Sequence, residues 1–390
     1  MRLGVSASTF PRWAGDAVPA FVLEHVRALA PRVASVEVVA PHYPGAATRE
    51  SLGEVAVRRF RYWWPASGET VAYGQYGGGA LAAAKGVALT LAQVAAMTRM
   101  MGRVDVVNAH WLVPQGFAAV LAGRLRRRPV VVSVHGGDVF TLTGGLSRKV
   151  KQWTLRRADA VVANSSATLE VCRSLQERDY EVIPMGVEDR YAQPGAAPAT
   201  GGFRLLFVGR LADGKGVDDA IRAVGRARRA GVDVELVVAG DGPLRSDLEE
   251  LARAEEVAPS VTFLGWVDAE DLPGHLAAAH AFIGPSHTTE RGWREAYGLV
   301  FVEAALAARP AIGTRNGGIT DIVVDGETGL LVPERDVEAL AGAIATLAAD
   351  RATAQEMGRC ARRRALATMT WPAVAERYAR VLDRVLEEAS

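Results

Sequence analysis

Short apolar runs that read as strands alternate with helical stretches along the whole chain, and the alternation stops once and starts again. The first set of runs lies at residues 3–6, 33–39, 54–60, 104–108, 129–134, 160–163 and 181–184. Helical patterns such as 21–30 and 117–126 lie between them. Strands that are apolar throughout, each followed by a helix, indicate a parallel sheet covered on both faces. Residues 193–202, Gln-Pro-Gly-Ala-Ala-Pro-Ala-Thr-Gly-Gly, have the composition of a linker. The pattern then resumes at 203–208, 234–239, 261–264, 281–284, 311–313 and 330–332. A chain of 390 residues is too long for one core. The expected fold is α/β, with two doubly wound Rossmann-like domains facing across a cleft. The first domain covers 1–193, the linker 194–202 and the second domain 203–370. The segment 371–390 reads as one amphipathic helix with Val374, Tyr378, Val381, Leu382 and Val385 on a stripe.

Composition narrows the class. The two cysteines, Cys172 and Cys360, form no framework, and the N-terminus lacks a basic-then-apolar leader pattern. The cytoplasm is the expected location, with peripheral attachment at the inner face of a membrane as an extension of it. Net charge is +1 but uneven. Residues 1–200 carry 23 basic and 15 acidic side chains (+8), and residues 201–390 carry 22 and 29 (−7). A basic half suits an anionic acceptor, nucleic acid or lipid headgroups; oppositely charged halves also suit two domains that simply face each other. Between Thr70 and Thr98 the one charge is Lys85. Gly77-Gly-Gly, Gln75, Gly86 and Gln93 interrupt that stretch too often for a membrane span. It reads as buried core helices, a helix–turn–helix beside the cleft, or a surface-seeking element.

The densest chemistry lies in Arg294-Glu-Ala-Tyr-Gly-Leu-Val-Phe-Val-Glu303. Gly298 ends a loop, and an apolar helix begins at Leu299. Glu295 and Glu303 are eight positions apart, roughly 12 Å if the whole stretch were helical. That is too far to share one proton or one small metal. Between them the helix start at Leu299 and Val300 offers free amides to an anion. Acceptor for hydroxyls, anion site, acceptor for hydroxyls is the order of hexose, diphosphate and ribose in a nucleoside diphosphate sugar. Upstream, the run 203–208 ends in Gly209-Arg210-Leu-Ala-Asp-Gly-Lys215-Gly216, where two cations and close-approaching glycines suit a phosphate. Val237-Val-Ala-Gly240-Asp-Gly-Pro243 is a strand and tight turn that shapes the cleft floor, and the backbone near Val267 is placed to read a base edge. In the first half, His110-Trp111 and His135-Gly-Gly-Asp138 each follow a strand, suiting sugar hydroxyls or acceptor positioning as well as a structural role. No two aspartates are separated by one residue, no Cys/His zinc spacing occurs, and neither a P-loop nor a nucleophile elbow is present.

Taken together and in order, these motifs resemble the retaining glycosyltransferases of family 4, with the GT-B fold. The segments that carry the likeness are Gly209-Arg-Leu…Lys215-Gly, Ala239-Gly-Asp-Gly-Pro243, Phe263-Leu-Gly265, Pro285-Ser286, Glu295…Gly298-Leu…Glu303-Ala, Gly317-Gly318 and Asp325-Gly-x-Thr-Gly-Leu-Leu-Val332. The resemblance covers nearly the whole chain. It implies hexose transfer from a UDP- or GDP-hexose to a hydroxyl acceptor, a lipid-linked one or another glycan, as in polysaccharide biosynthesis. No metal or other cofactor and no nucleic acid is implied. It also implies that Arg210 and Lys215 bind the diphosphate, that Glu303 binds the ribose, and that Glu295 faces the sugar. The amides of Gly298, Leu299 and Val300 would lie near sugar and phosphate, and His135 would contact the transferred sugar. The terminal helix would cross back to the first domain. Two other readings are a sugar-nucleotide epimerase of the same fold and an inactive binding subunit of a transferase complex. The chain departs from the family in one loop: the usual Gly-Gly after the first strand is replaced by Phe10-Pro-Arg-Trp-Ala-Gly15-Asp16, leaving Gly15 as the candidate contact. Tyr297 also stands where a phenylalanine is common, and the long stretch 287–294 is placed to wall the sugar pocket.

Overall fold

The computed structural model describes residues 1–13, 15–16, 20–73, 79–140, 144–191 and 201–389. Two compact units result, Met1–Gly186 with Trp371–Ser390, and Val187–Thr370.

The first unit is built on eight strands: β1 (Arg2–Ser6), β2 (Ser35–Pro41), β3 (Arg49–Leu52), β4 (Val55–Phe60), β5 (Val106–His110), β6 (Val130–Val134), β7 (Ala160–Ala163) and β8 (Glu181–Val182). Their order is β3-β4-β2-β1-β5-β6-β7-β8. All neighbours are parallel except β3 and β4. Strand β3 is absent from the sequence expectation because Arg-Glu-Ser-Leu has no apolar alternation. It exists because Gly53, at φ +66°, turns the chain back on β4 at the sheet edge. The order reverses at β1, so the ends of β1, β5 and β6 open on the customary ligand side of such a sheet.

The helix Trp371–Glu388 belongs to this unit. It buries Trp371, Val374, Tyr378, Val381, Leu382 and Val385 in the same core as Leu3, Val5, Val26 and Val106. Its Trp371 Nε1 donates to Glu24 Oε2 at 2.8 Å, and the Tyr378 hydroxyl to Ser133 Oγ at 3.1 Å. The first unit ends at Gly186, short of residue 193. Val187 N donates to Met369 O at 2.9 Å, and Asp189 pairs with Arg362 at 3.0 Å, which ties 187–191 to the second unit. Residues 194–200 of the expected linker lie outside the described residues.

In the described part of the uncharged segment from Ala80 onward there is one helix, buried on one side only. It runs unbroken from Ala80 to Met100, straight through Gly86; Gln75 and Gly77 lie outside the described residues. Leu89, Gln93, Met97 and Met100 face inward at helical spacing, while Leu81, Val87 and Leu91 stay exposed.

The second unit has six parallel strands: β9 (Phe203–Val208), β10 (Val234–Ala239), β11 (Val261–Gly265), β12 (Ala281–Gly284), β13 (Ala311–Thr314) and β14 (Gly329–Val332). Their order, β11-β10-β9-β12-β13-β14, is the Rossmann 3-2-1-4-5-6 order, with the reversal at β9. The helix Val217–Arg229 shows why these elements form where they do. Val217, Ala220, Ile221 and Val224 bury one stripe on the sheet, Asp218 and Asp219 sit in the first turn, and Arg226, Arg228 and Arg229 sit in the last.

Candidate active site

The residues singled out by the sequence fall into two groups, one in each unit. In the second unit, Gly209 follows the carboxyl end of β9 and its amide donates to Ala239 O at 3.0 Å. Gly240 lies against it at φ +145°, where a Cβ would come within 1.9 Å of Gly209 O. The loop 210–216 then folds toward β12. His287 N donates to Gly214 O at 2.8 Å, and Gly216, at φ +71°, leaves no room for a Cβ beside Pro285 O. This seating holds Lys215 so that its ammonium lies 2.6 Å from Glu295 Oε2 and 5.1 Å from the Trp293 ring centroid. The pair is largely buried, with 27% of the lysine and 15% of the glutamate side chain exposed. Arg210 differs: it is exposed, and among the described residues it has no side-chain partner.

Glu295 is fixed from behind. Asn316 Oδ1 accepts from Glu295 N at 2.9 Å, and Gly318 N donates to Glu295 O at 3.0 Å. Gly317, at φ +52°, approaches so closely that a Cβ would sit 1.7 Å from Glu295 O. Asn316 in turn donates to Glu334 Oε1 at 2.8 Å, and Glu334 accepts from Thr288 N at 2.6 Å. Gly298, left-handed at φ +95°, ends the loop, and the helix Leu299–Leu306 starts immediately after it. The amides of Leu299 and Val300 therefore belong to the first turn, which has no intrahelical acceptor. Glu303 lies one turn on, beside the Tyr191 hydroxyl. Burial pushes the Tyr191 phenol up beyond the range of phenol titration, and the neighbouring Glu303 carboxylate adds to it. Val267 lies two residues beyond the end of β11, half-buried next to the exposed Trp266. Tyr191, Asn316 and Glu334 were not anticipated from the sequence. Asn316 directly precedes Gly317-Gly318, so that motif was the available signal; Tyr191 had none.

In the first unit, His110 ends β5 and His135 follows β6. Their rings are 4° from coplanar, and His110 Nδ1 lies 2.9 Å from His135 Nε2. His25 adds a third imidazole, 5.0 Å from His110 between ring centroids, under Tyr378 and Trp371. His110 is 1% exposed, with Nδ1 against His135 Nε2 and Nε2 buried without a protein partner, so it has little surface for the acceptor contact expected of it. Asp138 is also internal. Its Oδ2 accepts from Leu112 N at 2.6 Å and its Oδ1 from His135 N at 3.3 Å, so it pins the two loops rather than facing solvent. Trp111, half-buried at φ +73°, packs its ring on Phe21 and His135. Gly15, at φ +76°, has open space around it in a loop closed by the Arg12–Asp16 pair at 2.5 Å.

Burial holds the three imidazoles neutral. It lowers His25 to about 4 and, with His25 nearby, His135 to about 3; His110 also falls well below its ordinary value. Unfolded histidines take up protons as pH falls through about 6.5, while His25 stays neutral until about 4 and His135 until about 3. The unfolded state therefore binds more protons in that window, and stability falls as pH falls. Each such histidine costs about 1.4 kcal/mol per pH unit inside the window. Thermal melts are expected to show a steep loss of stability from about pH 7 to about pH 5, shallower in His25→Phe. Equal slopes for both proteins would exclude His25 from that loss.

Two family models match the chain: one described as Glycosyltransferase Family 4 over residues 18–191, and one as Glycosyl transferases group 1 over residues 193–364. Glycogen synthase of Mycobacterium tuberculosis (strain ATCC 25618 / H37Rv) is 34% identical over 291 residues, which are 72% of this chain and 68% of that one. A GDP-mannose-dependent alpha-(1-6)-phosphatidylinositol monomannoside mannosyltransferase of Mycolicibacterium smegmatis is 33% identical over 305 residues, 74% of this chain and 79% of that one. Among solved structures, sucrose-phosphate synthase from Thermosynechococcus elongatus aligns over 100% of both chains with TM-score 0.75 at 21% identity. HepE from Anabaena in complex with UDP aligns over 98% of this chain and 99% of that one, with TM-score 0.72 at 19% identity. The structural likenesses establish the GT-B fold, and the family models and relatives establish the rest: the chain belongs to glycosyltransferase family 4.

Proposed function

We propose that this glycosyltransferase moves a hexose from a UDP- or GDP-hexose to a hydroxyl acceptor, with retention at the anomeric carbon and without a metal. The observation that carries the reading is the Lys215–Glu295 pair at 2.6 Å, beside the start of the helix Leu299–Leu306, with Glu303 on that same helix. Arg210, Lys215 and the amides of Gly298, Leu299 and Val300 supply the positive charge that a departing diphosphate needs, the task a divalent cation would otherwise perform. Glu303 accepts from the ribose hydroxyls, and Glu295 from the sugar. Gly240 and Val267 contribute backbone to the nucleotide, and Gly15 is assigned to the donor as well. His135, held neutral, donates to a sugar hydroxyl, with Trp111 beside it for the acceptor. The bond from the anomeric carbon to the diphosphate oxygen breaks. The acceptor oxygen bonds that carbon on the same face, and its proton passes to the leaving phosphate.

Two similar proteins support the donor class: one is a GDP-mannose-dependent mannosyltransferase, and one solved structure holds UDP. That same mannosyltransferase acts on a phosphatidylinositol monomannoside, which supports a lipid-linked acceptor here together with the +8 balance of residues 1–200. Peripheral contact with the inner face of a membrane, from a cytoplasmic location, follows from that acceptor.

A thermal-shift screen of nucleotide sugars in excess EDTA tests donor and metal together. A donor at 100 times its dissociation constant is expected to add about 2.7 kcal/mol. Turnover with that donor is expected to survive the chelator. If EDTA abolishes turnover and Mg²⁺ or Mn²⁺ restores it, the account of leaving-group stabilisation is wrong.

A further inference from the structure

The helix Ala80–Met100 is long and apolar enough to cross a membrane, yet only 17% of its most apolar stretch is buried. Its inner face is committed to the first unit through Leu89, Met97 and Met100, and Gln93 Nε2 donates to Ser6 Oγ at 3.0 Å. It therefore cannot leave the fold to span a bilayer. Its outer face is exposed along Ala80, Ala84, Val87 and Leu91, a spacing that keeps one side of a helix, with Leu81 beside it at 60% exposed. A soluble helix normally turns charge to water on that side. This one offers only Lys85 before Arg99, and Lys85 lies 5.7 Å from the Trp63 ring centroid. The neighbouring Trp64 is 86% exposed.

A second observation says what covers this face. The C-terminal part of the helix supplies Ala96 and Arg99 to a cavity of about 420 Å³ that is also lined by Arg49, Arg58, Arg59, Arg61 and Arg103. Arg58 and Arg103 share Glu37, Arg59 pairs with Glu50, and Arg61 with Glu69. Six guanidiniums thus meet three carboxylates, and Arg49 and Arg99 have no acidic partner among the described residues. An exposed apolar strip with a cationic groove beside the C-terminal end of the same helix is complementary to acyl chains beside anionic phosphates, and exposed tryptophan suits the boundary between them. A second copy of this chain would bring the same positive groove against itself.

We propose that the outer face of Ala80–Met100, with Trp64 and the arginine groove, is a docking surface for an anionic phospholipid bilayer, on which the helix lies in the plane of the interface. The surface follows from the first unit alone; only its use, presenting the enzyme to a lipid-linked acceptor, rests on the proposed function.

The test is co-sedimentation of the full chain with vesicles of phosphatidylcholine mixed with phosphatidylglycerol, and with phosphatidylcholine alone, at low and high salt. Binding is expected only to the anionic vesicles, and weaker at high salt. Each basic side chain near such a surface is worth about a fivefold change in partition. Arg49→Gln with Arg99→Gln should therefore lower binding about 25-fold. The variant Leu81→Ser, Val87→Ser, Leu91→Ser should abolish it. Nucleotide-sugar thermal shifts, read in parallel, are expected to be unchanged in both variants, which confirms their folding and separates this surface from the transferase reading. No binding by the wild type to anionic vesicles, or binding undiminished in both variants, overturns the proposal. So does a concentration-dependent dimer in light scattering that the serine variant dissolves without any vesicle binding.

Discussion

Replacing Lys215 by alanine is expected to lower turnover by about a hundredfold to a thousandfold, the range seen when one preorganised donor to a developing anion is removed. The fold should survive, because the side chain ends in a partly exposed ion pair and not in either hydrophobic core. The structure adds a complication that a sequence argument lacks. Lys215 is the counter-ion of Glu295, so its loss also leaves a carboxylate that is 15% exposed without its partner. A double-mutant cycle separates the two effects. If Lys215 acts on the diphosphate, Lys215→Ala remains costly in the Glu295→Gln background. If it serves only to neutralise Glu295, the second substitution adds almost nothing, and the diphosphate role is lost. Steady-state kinetics of the four proteins with one donor decide between these outcomes.

The second large effect is expected at Gly317. Alanine there must adopt φ near +52° and place a methyl 1.7 Å from the Glu295 carbonyl oxygen, where real atoms do not go. The left-handed backbone costs about 1–2 kcal/mol by itself. The clash cannot be relieved by rotating a side chain, since the obstructing atom is backbone, so the Glu295 loop must move. A displacement near 1 Å at a positioning group costs about a hundredfold in rate. Gly326 provides the control: its φ is +76°, but a Cβ there meets nothing within 4 Å. Gly326→Ala should lose about 1–2 kcal/mol of stability and no activity. Gly317→Ala should lose more stability and most of its turnover. Equal activity in the two alanine variants would show that the Glu295 loop tolerates the shift.

The central parallel strands, such as Val106–His110, Val130–Val134, Ala281–Gly284 and Ala311–Thr314, were legible because each is a short, largely apolar run buried on both faces, which has few other stable uses. The loop residues Gly209, Lys215, Glu295 and Gly298 were legible as motifs, and the start of the helix at Leu299 follows from Gly298. Strand β3 was not legible, because its existence depends on a turn and an edge partner rather than on its own composition. The burial of His110 and Asp138 was invisible because a residue at a strand end can point inward or outward with the same sequence. For His110 the packing of His25 decides it, and for Asp138 the amides of Leu112 and His135 do. The same limit applies to Ala80–Met100, whose apolar composition suggests burial while the fold leaves one side uncovered. Tyr191 meets Glu303 across more than a hundred residues of sequence, and no local pattern announces it.

The return of the last helix to the first unit has a consequence for how the chain is made. Trp371, Val374, Tyr378, Leu382 and Val385 complete the core around Val5, Val26 and Val106, so that core stays open after residue 186 has left the ribosome. At about 5–20 residues per second, synthesis of the remaining 204 residues (390 − 186) takes roughly 10 to 40 s. The sheet of the second unit is complete once Val332 has been made, before the helix Trp371–Glu388 exists, so that sheet can close first. The expected order of closure is therefore the reverse of the usual N-to-C order, with the first unit completed last.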